Sequence, residues 1–238
     1  MTSTHLGLNL PAAGFPGQAG TPLAFKLASE NQKVAFIEKE HFGGTCLNVG
    51  CTPTKTYVAS ARRMFDAKNG EPLGISIPEG TTANLSKIKK RKDDLVNKSV
   101  NGLTQALENS KNIDVFSGTA TFKSSKTVAI DGEEIEGEKI FINVGARARV
   151  PNGFEGVDVL TNKEILQLEE IPEHLIIVGG SYIGLEFGQI FRRFGAKVTI
   201  IEMHSRIISR EDEEVSDNIK EIFEGEGIQF RMKAEKLP

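Results

Sequence analysis

The chain has 238 residues, 39% of them hydrophobic and 26% charged, with a formal net charge of −3 and a pI of about 5.9. That composition suits one large or two ordinary globular domains, and it presents no global field to nucleic acid or to an anionic membrane. No apolar run approaches the roughly 20 residues of a membrane-spanning helix, and the first basic residue is Lys26, so the start lacks the charged region of a secretory signal; the expectation is a cytoplasmic protein.

In chain order, the stretch LNLPAAGFP (residues 8–16) stands where a doubly wound fold places its first buried strand. It reads as a degraded version. Pro11 cannot donate a ladder hydrogen bond in a central strand, and Phe15 occupies the first glycine position of a G-x-G-x-x-G turn. Gly17 and Gly20 keep the other two glycines. A helix is expected over Thr21–Glu30, then a short apolar strand, Val34–Ile37, closed by Glu38. After the segment GGTCLNVGCTPTK (Gly43–Lys55), Pro53 opens a second helix, Thr54–Ala67, where its missing N–H is harmless.

Leu85, Ile88, Val96, Val100, Leu103 and Leu107 recur at helical spacing and predict a long amphipathic helix between about 84 and 108. The run Lys87–Lys92 holds five basic residues and ends in Asp93-Asp94. It reads as a solvated helix face, not as a nucleic-acid site. Short strand runs follow at Ile113–Phe116, Thr119–Phe122, Thr127–Ile130 and Lys139–Val144, separated by Ser-Gly, Ser-Ser and Asp131-Gly132 turn signals, and together they predict an antiparallel meander.

From Gly153 onward alternating strand and helix return: a strand at Leu175–Val178, a helix over Tyr182–Phe194 and a strand at Val198–Ile201. Between the first two lies Gly179-Gly180-Ser181-Tyr182-Ile183-Gly184, with Ser181 at the middle glycine position, and Glu202 ends the second strand. The spacing from Gly184 to Glu202 is 18 residues, as it is from Gly20 to Glu38. Two strand, glycine-turn, helix, strand and acid units imply two dinucleotide sites in one α/β chain.

Small residues at such a turn let backbone N–H groups at the helix N-terminus reach a pyrophosphate. A carboxylate at Glu202 would accept hydrogen bonds from a ribose and repel a 2′-phosphate, which favours NADH over NADPH, with His204 and Arg206 nearby to moderate the preference. The two cysteines, Cys46 and Cys51, are five positions apart. A disulfide closing so short a loop contributes only about 2 kcal/mol through chain entropy, and two thiolates leave a zinc ion two ligands short. A redox pair fits better: Cys51 precedes a helix whose N-terminus stabilises a thiolate, and Lys55 adds a cation one turn on.

GGTCLNVGCTPTK resembles the active-site signature of the flavin-dependent pyridine nucleotide–disulfide oxidoreductases, the family of dihydrolipoamide dehydrogenase, glutathione reductase and mercuric reductase. The resemblance extends to the Glu38 turn, the meander, KIFINVGAR (Lys139–Arg147) and GGSYIGLEF (Gly179–Phe187), and runs from about Gly17 to the end of the chain; TPTK and GGSYIGLEFGQIFRRFG look most like the mercuric-reductase-like branch. It implies an FAD-binding domain over residues 1–150, with a degraded first strand, and a partial NAD(P)-binding domain over 151–238. It also implies that NAD(P)H reduces FAD, and that FAD reduces a Cys46–Cys51 disulfide. Cys51 would be the charge-transfer thiol beside the flavin and Cys46 the thiol that attacks a small-molecule disulfide or a metal ion. Lys55 would lie near the flavin and form a buried pair with Glu186. Gly17, Gly20, Glu38, Gly44, Thr45, Gly118, Ala120 and Gly145 would contact FAD, Gly118 and Ala120 on a strand against its adenosine. Gly179, Gly180, Ser181, Gly184 and Glu202 would hold NADH, with Tyr182 gating the nicotinamide pocket. Val144 replaces the usual threonine.

Members of that family are homodimers about twice this length. Their C-terminal dimerisation domain supplies a histidine–glutamate acid–base pair, and another segment supplies an aspartate that holds the FAD ribitol; this sequence matches neither. His5, His41, His174 and His204 are read as bystanders. The expectation is a truncated member with weak or no turnover, and the rival to an active oxidoreductase is an inactive remnant with weak or no nucleotide binding.

Overall fold

The computed structural model describes residues 12–14 and 17–234; Pro11, Phe15 and His5 lie outside them. In chain order the elements are β1 (Ala12–Gly14), α1 (Gly20–Ser29), β2 (Val34–Glu38), α2 (Gly44–Val49), α3 (Cys51–Lys68), α4 (Leu85–Glu108), β3 (Ile113–Ser117), β4 (Thr121–Phe122), β5 (Thr127–Ile130), β6 (Glu133–Glu136) and β7 (Ile140–Phe141). They continue with β8 (His174–Val178), α5 (Tyr182–Phe194), β9 (Lys197–Ile201), α6 (Glu213–Gly225) and β10 (Gln229–Arg231). The fold is α/β, as expected, and no described helix is long and apolar enough to cross a membrane.

Two compact units share the chain. The first takes the chain up to Thr52 and Asp94–Arg147; the second takes Pro53–Asp93 and the chain from Ala148. In the first, four parallel strands lie in the order β3-β2-β1-β7. β2 is buried on both faces, which is why VAFI reads as a continuous apolar run and not as an alternation. Ala35 and Ile37 point into a cluster with Val128, Ile130 and Ile135. Val34 and Phe36 point the other way, into a cluster with Ala24, Ala28, Leu107 and Ile113.

The expected meander needs correction. Only β4, β5 and β6 are antiparallel, whereas Ile113–Ser117 and Ile140–Phe141 pair in parallel with β2 and β1. Strand propensity is local but partner choice is not. The Ser117-Gly118 signal marks the exit from the parallel sheet, where the Gly118 N–H donates to the Glu38 carbonyl at 2.8 Å. The Asp131-Gly132 turn does close a hairpin, with φ of +48° and +93° at its two residues.

In the second unit β8, β9 and β10 form a parallel sheet in the order β10-β9-β8. Its core joins Val198 and Ile200 of β9 to Ile190, Phe191 and Phe194 of α5, to Phe223 of α6, and to Tyr57, Ala61 and Leu85. The apolar stripe of α4 therefore serves two cores: Leu85 and Ile88 pack in this one, Leu103 and Leu107 in the first unit.

Candidate functional site: a cysteine pair and two glycine turns

The cysteine segment folds as two consecutive helices and not as a loop before one. Gly43 holds a left-handed conformation (φ +86°) at the N-cap of α2, and a Cβ there would collide with the Leu47 side chain. Asn48 donates through Nδ2 to the carbonyls of Phe42 and Gly44, both at 2.9 Å, and so ties the end of α2 to its entry. Gly50 alone separates α2 from α3. A Cβ on it would lie 2.9 Å from the Thr45 carbonyl oxygen and 3.2 Å from the Cys46 Cα, so the close return of the chain onto Cys46 requires glycine. Neither Asn48 nor Gly50 was singled out from the sequence, although their place inside the cysteine interval was the available signal.

Cys46 is half-buried on α2 and Cys51 is the exposed first residue of α3; both are free thiols. Burial pushes the Cys46 thiol up from its ordinary value, and a hydrogen bond and charge interaction with Cys51 push the same way. Backbone hydrogen bonds from Cys51 and Thr52 oppose the rise without cancelling it. Together these effects disfavour the thiolate form of Cys46. Thr45 is exposed beside it, and His41 is exposed, offering its carbonyl to the Gly44 N–H at 3.2 Å.

The first glycine turn opens α1. Gly20 is the buried first residue of the helix, and Gly17 has open space where a Cβ would be. Thr21 Oγ1 is a buried hydroxyl with no partner. An orphaned donor at a helix N-terminus beside uncrowded glycine is what a phosphate group would satisfy. Glu38 ends β2 and accepts from the Glu40 N–H at 2.7 Å. Its backbone meets Gly118, where a Cβ would press on Ile130 and Asp131 at 2.8 and 2.9 Å. Gly118 and Ala120 lie in the connection between β3 and β4, not on a strand; Ala120 packs against the Val128 cluster. Gly145 follows β7 with φ +68°. These residues fit a dinucleotide diphosphate.

In the second unit the expected Lys55–Glu186 pair is formed. It is not buried, however: the Lys55 side chain is 67% exposed. The positions of α3 that pack inward are Pro53, Thr54, Thr56, Tyr57 and Ala61, which leaves Lys55 on the open side of the helix. The glycine turn between β8 and α5 is tightly built. Gly179 has φ +108°, and a Cβ on Gly184 would run into the Gly179 carbonyl. Ser181 caps α5 with extended backbone, and Tyr182 is exposed beside it. Glu202 is buried directly after β9; its Oε2 accepts from the Gly180 N–H at 2.8 Å and its Oε1 from the His204 N–H at 2.9 Å. The acid therefore braces the glycine turn, with lone pairs left over for a ribose. Among the described residues no group of three or more histidine, cysteine, aspartate or glutamate side chains could hold a metal ion.

The family model described as pyridine nucleotide-disulphide oxidoreductase matches residues 16–236. A dihydrolipoyl dehydrogenase of Acholeplasma laidlawii is 36% identical over 225 residues, covering 92% of this chain. A mercuric reductase of Bacillus cereus is 33% identical over 214 residues, covering 89%. The solved structure of the HOCl-induced flavoprotein disulfide reductase RclA from Escherichia coli superposes with a TM-score of 0.82 at 37% identity, covering 94%. The chain spans 67%, 34% and 49% of the lengths of these three proteins, respectively.

Proposed function

This chain belongs to the pyridine nucleotide-disulphide oxidoreductase family, and from that premise we propose that it relays electrons from a pyridine nucleotide through FAD to its Cys46–Cys51 pair, and from there to a small-molecule disulfide or a metal ion. The observation that carries the reading is the chain return at Gly50, the residue before Cys51, which packs so closely on the Thr45 carbonyl and the Cys46 Cα that no Cβ fits there, with both cysteines free. Bound FAD supplies the two-electron link between a nicotinamide and a thiol pair. The α1 N-terminus with Thr21, and Glu38 beyond β2, would hold it; the turn Gly179–Gly184 and Glu202 would hold the nucleotide. The Glu202 carboxylate favours NADH over NADPH because a 2′-phosphate would meet a second negative charge. With no described helix able to span a membrane, a cytoplasmic setting suits thiols kept reduced.

The thiol chemistry follows from the geometry. Two electrons and two protons open the Cys46–Cys51 disulfide to two thiols. Cys46, once deprotonated, attacks one sulfur of a substrate disulfide and expels the first thiol; Cys51 then attacks the Cys46 sulfur and expels the second, restoring the ring. Burial and Cys51 push the Cys46 thiol up, and a base positioned to take its proton would generate the attacking thiolate.

The test is the visible absorbance of the purified chain supplied with FAD, before and after anaerobic NADH. A retained flavin spectrum that NADH bleaches at lower concentration than NADPH, with two thiols titrating afterward, is the expected result. A chain that stays colourless with added FAD overturns the reading in favour of a fold that has kept its glycine turns without turnover.

A further inference from the structure

Within the second unit, the glycine turn before α5 is gripped from outside by the connection between β9 and α6. Three contacts from that connection converge on Gly180. Glu202 Oε2 takes the Gly180 N–H at 2.8 Å, and the Ile208 N–H donates to the Gly180 carbonyl at 2.9 Å. Ile207, with no exposed surface, fills the space beside the Gly180 Cα: a Cβ there would stand 2.8 Å from Ile207 Cγ2.

Ile207 and Ile208 are themselves held. The buried Ser216 hydroxyl of α6 donates to the Ile207 carbonyl at 2.9 Å, and the Glu211 N–H donates to the Ile208 carbonyl at 2.9 Å. Ile208 has φ +37°, and it is the one β-branched residue with positive φ among the described residues; the other three that are not glycine are Asn31, Asp131 and Lys233. A β-branched side chain enters that region only at a cost, and it stays where the surroundings over-determine it. Strained residues of this kind gather at ligand clamps. What Ile208 clamps is one peptide plane of the turn.

A trans peptide unit is planar, and its C=O and N–H point in opposite directions. The Gly180 carbonyl and the Ser181 N–H belong to one such unit, and no described peptide bond is cis. Holding the carbonyl on Ile208 therefore aims the Ser181 N–H the opposite way, at the N-cap of α5, where a backbone donor lacks a partner within the helix. The Gly180 N–H is already taken by Glu202, which leaves the phosphate contact to the amide that follows it.

We propose that Ile208 is a positioning residue for the dinucleotide: it fixes the Gly180–Ser181 peptide so that the Ser181 N–H faces the diphosphate before the nucleotide arrives. The inference rests on the reading of Gly179–Gly184 as a nucleotide turn. It adds which amide meets the phosphate and which residue outside the turn aims it.

The experiment follows the backbone amides of the ¹⁵N-labelled chain by NMR during titration with ADP-ribose and, separately, with adenosine, which has no phosphate. Dissociation constants are read at the turn itself. In wild type the Ser181 amide is expected to move downfield with ADP-ribose and far less with adenosine. Ile208→Pro has neither the N–H nor access to positive φ, and it is expected to weaken ADP-ribose about fivefold relative to adenosine. Ile208→Gly keeps both and should retain the wild-type ratio. Ser216→Ala removes one hydroxyl, remains folded even where Ile208→Pro does not, and should lower the ratio about twofold. Phe230→Leu, in the same core on β10, is the control for mere destabilisation: it should lower the melting temperature and leave the ratio unchanged. A ratio unchanged in both Ile208→Pro and Ser216→Ala overturns the proposal alone, as does a Ser181 amide that stays still while other amides of the turn shift. A fall in Ile208→Gly as large as in Ile208→Pro also overturns it, because the side chain and not the peptide clasp would then matter. A wild type in which ADP-ribose moves no amide between 179 and 184 overturns the nucleotide reading of the turn and the proposal together.

Discussion

Asp93 sits between two lysines and shows how a single titration becomes a stability statement. Burial alone would raise its carboxyl; the hydrogen bonds and charges of Lys92 and Lys89 outweigh that and hold it below the ordinary carboxylate value. A native carboxylate that binds its proton less readily than the unfolded one contributes stability that is complete above the unfolded value. That contribution is lost as pH falls through the lowered native value. Asp93→Asn removes it. The variant is expected to be less stable at neutral pH by on the order of 1–3 kcal/mol, because the ammonium of Lys92 is buried although the carboxylate is partly solvated. Its stability should also fall less steeply than wild type between about pH 5 and pH 2, and urea midpoints across that range check both points. Helical spacing does separate Lys92 from its basic neighbours: it stands seven residues after Leu85 and four before Val96, on the apolar stripe of α4, while the other four cations spread around the helix. What that spacing does not reveal is the partner that makes a buried ammonium tolerable there, the Leu166 carbonyl.

Among the elements, those whose signal is contained in their own residues were legible: α4 from its long apolar stripe, α5 from the glycine turn before it, the turn at Asp131-Gly132 from its residue types. β6 was not, because Glu133–Glu136 carries one buried apolar residue, Ile135, between acids that face solvent. α2 was hidden for a different reason: a short helix with no buried residue leaves no periodic trace. Yet α2 shapes the site, and its junction with α3 turns on Gly50. Gly50→Ala must push the Thr45 carbonyl and the Cys46 backbone away, a backbone displacement that cannot be absorbed by a side-chain rotation. The expected cost is about 1–3 kcal/mol, read as a lower melting temperature, together with a smaller fraction of internal disulfide at fixed glutathione potential.

For the whole molecule, the doubled strand, glycine-turn and acid pattern led to an expectation of two domains; the first compact unit holds two sheets and two core clusters and the second one of each. What the pattern did not reveal is how the chain is dealt between them. Residues 53–93 leave the first unit and join the second, whose remaining residues come after Ala148. That interleaving has a consequence in time. On the ribosome, Tyr57, Ala61 and Leu85 emerge long before Ile190, Phe191, Val198 and Ile200, the partners that bury them. Until those are made, an apolar patch on the helix that begins at Cys51 stands open to chaperones and to other nascent chains. A chain stopped at residue 150 should therefore bind a hydrophobic dye strongly and yield to protease within α3 and the start of α4. The 238-residue chain should resist both, so that α3 is covered only once residues 190–200 have been translated.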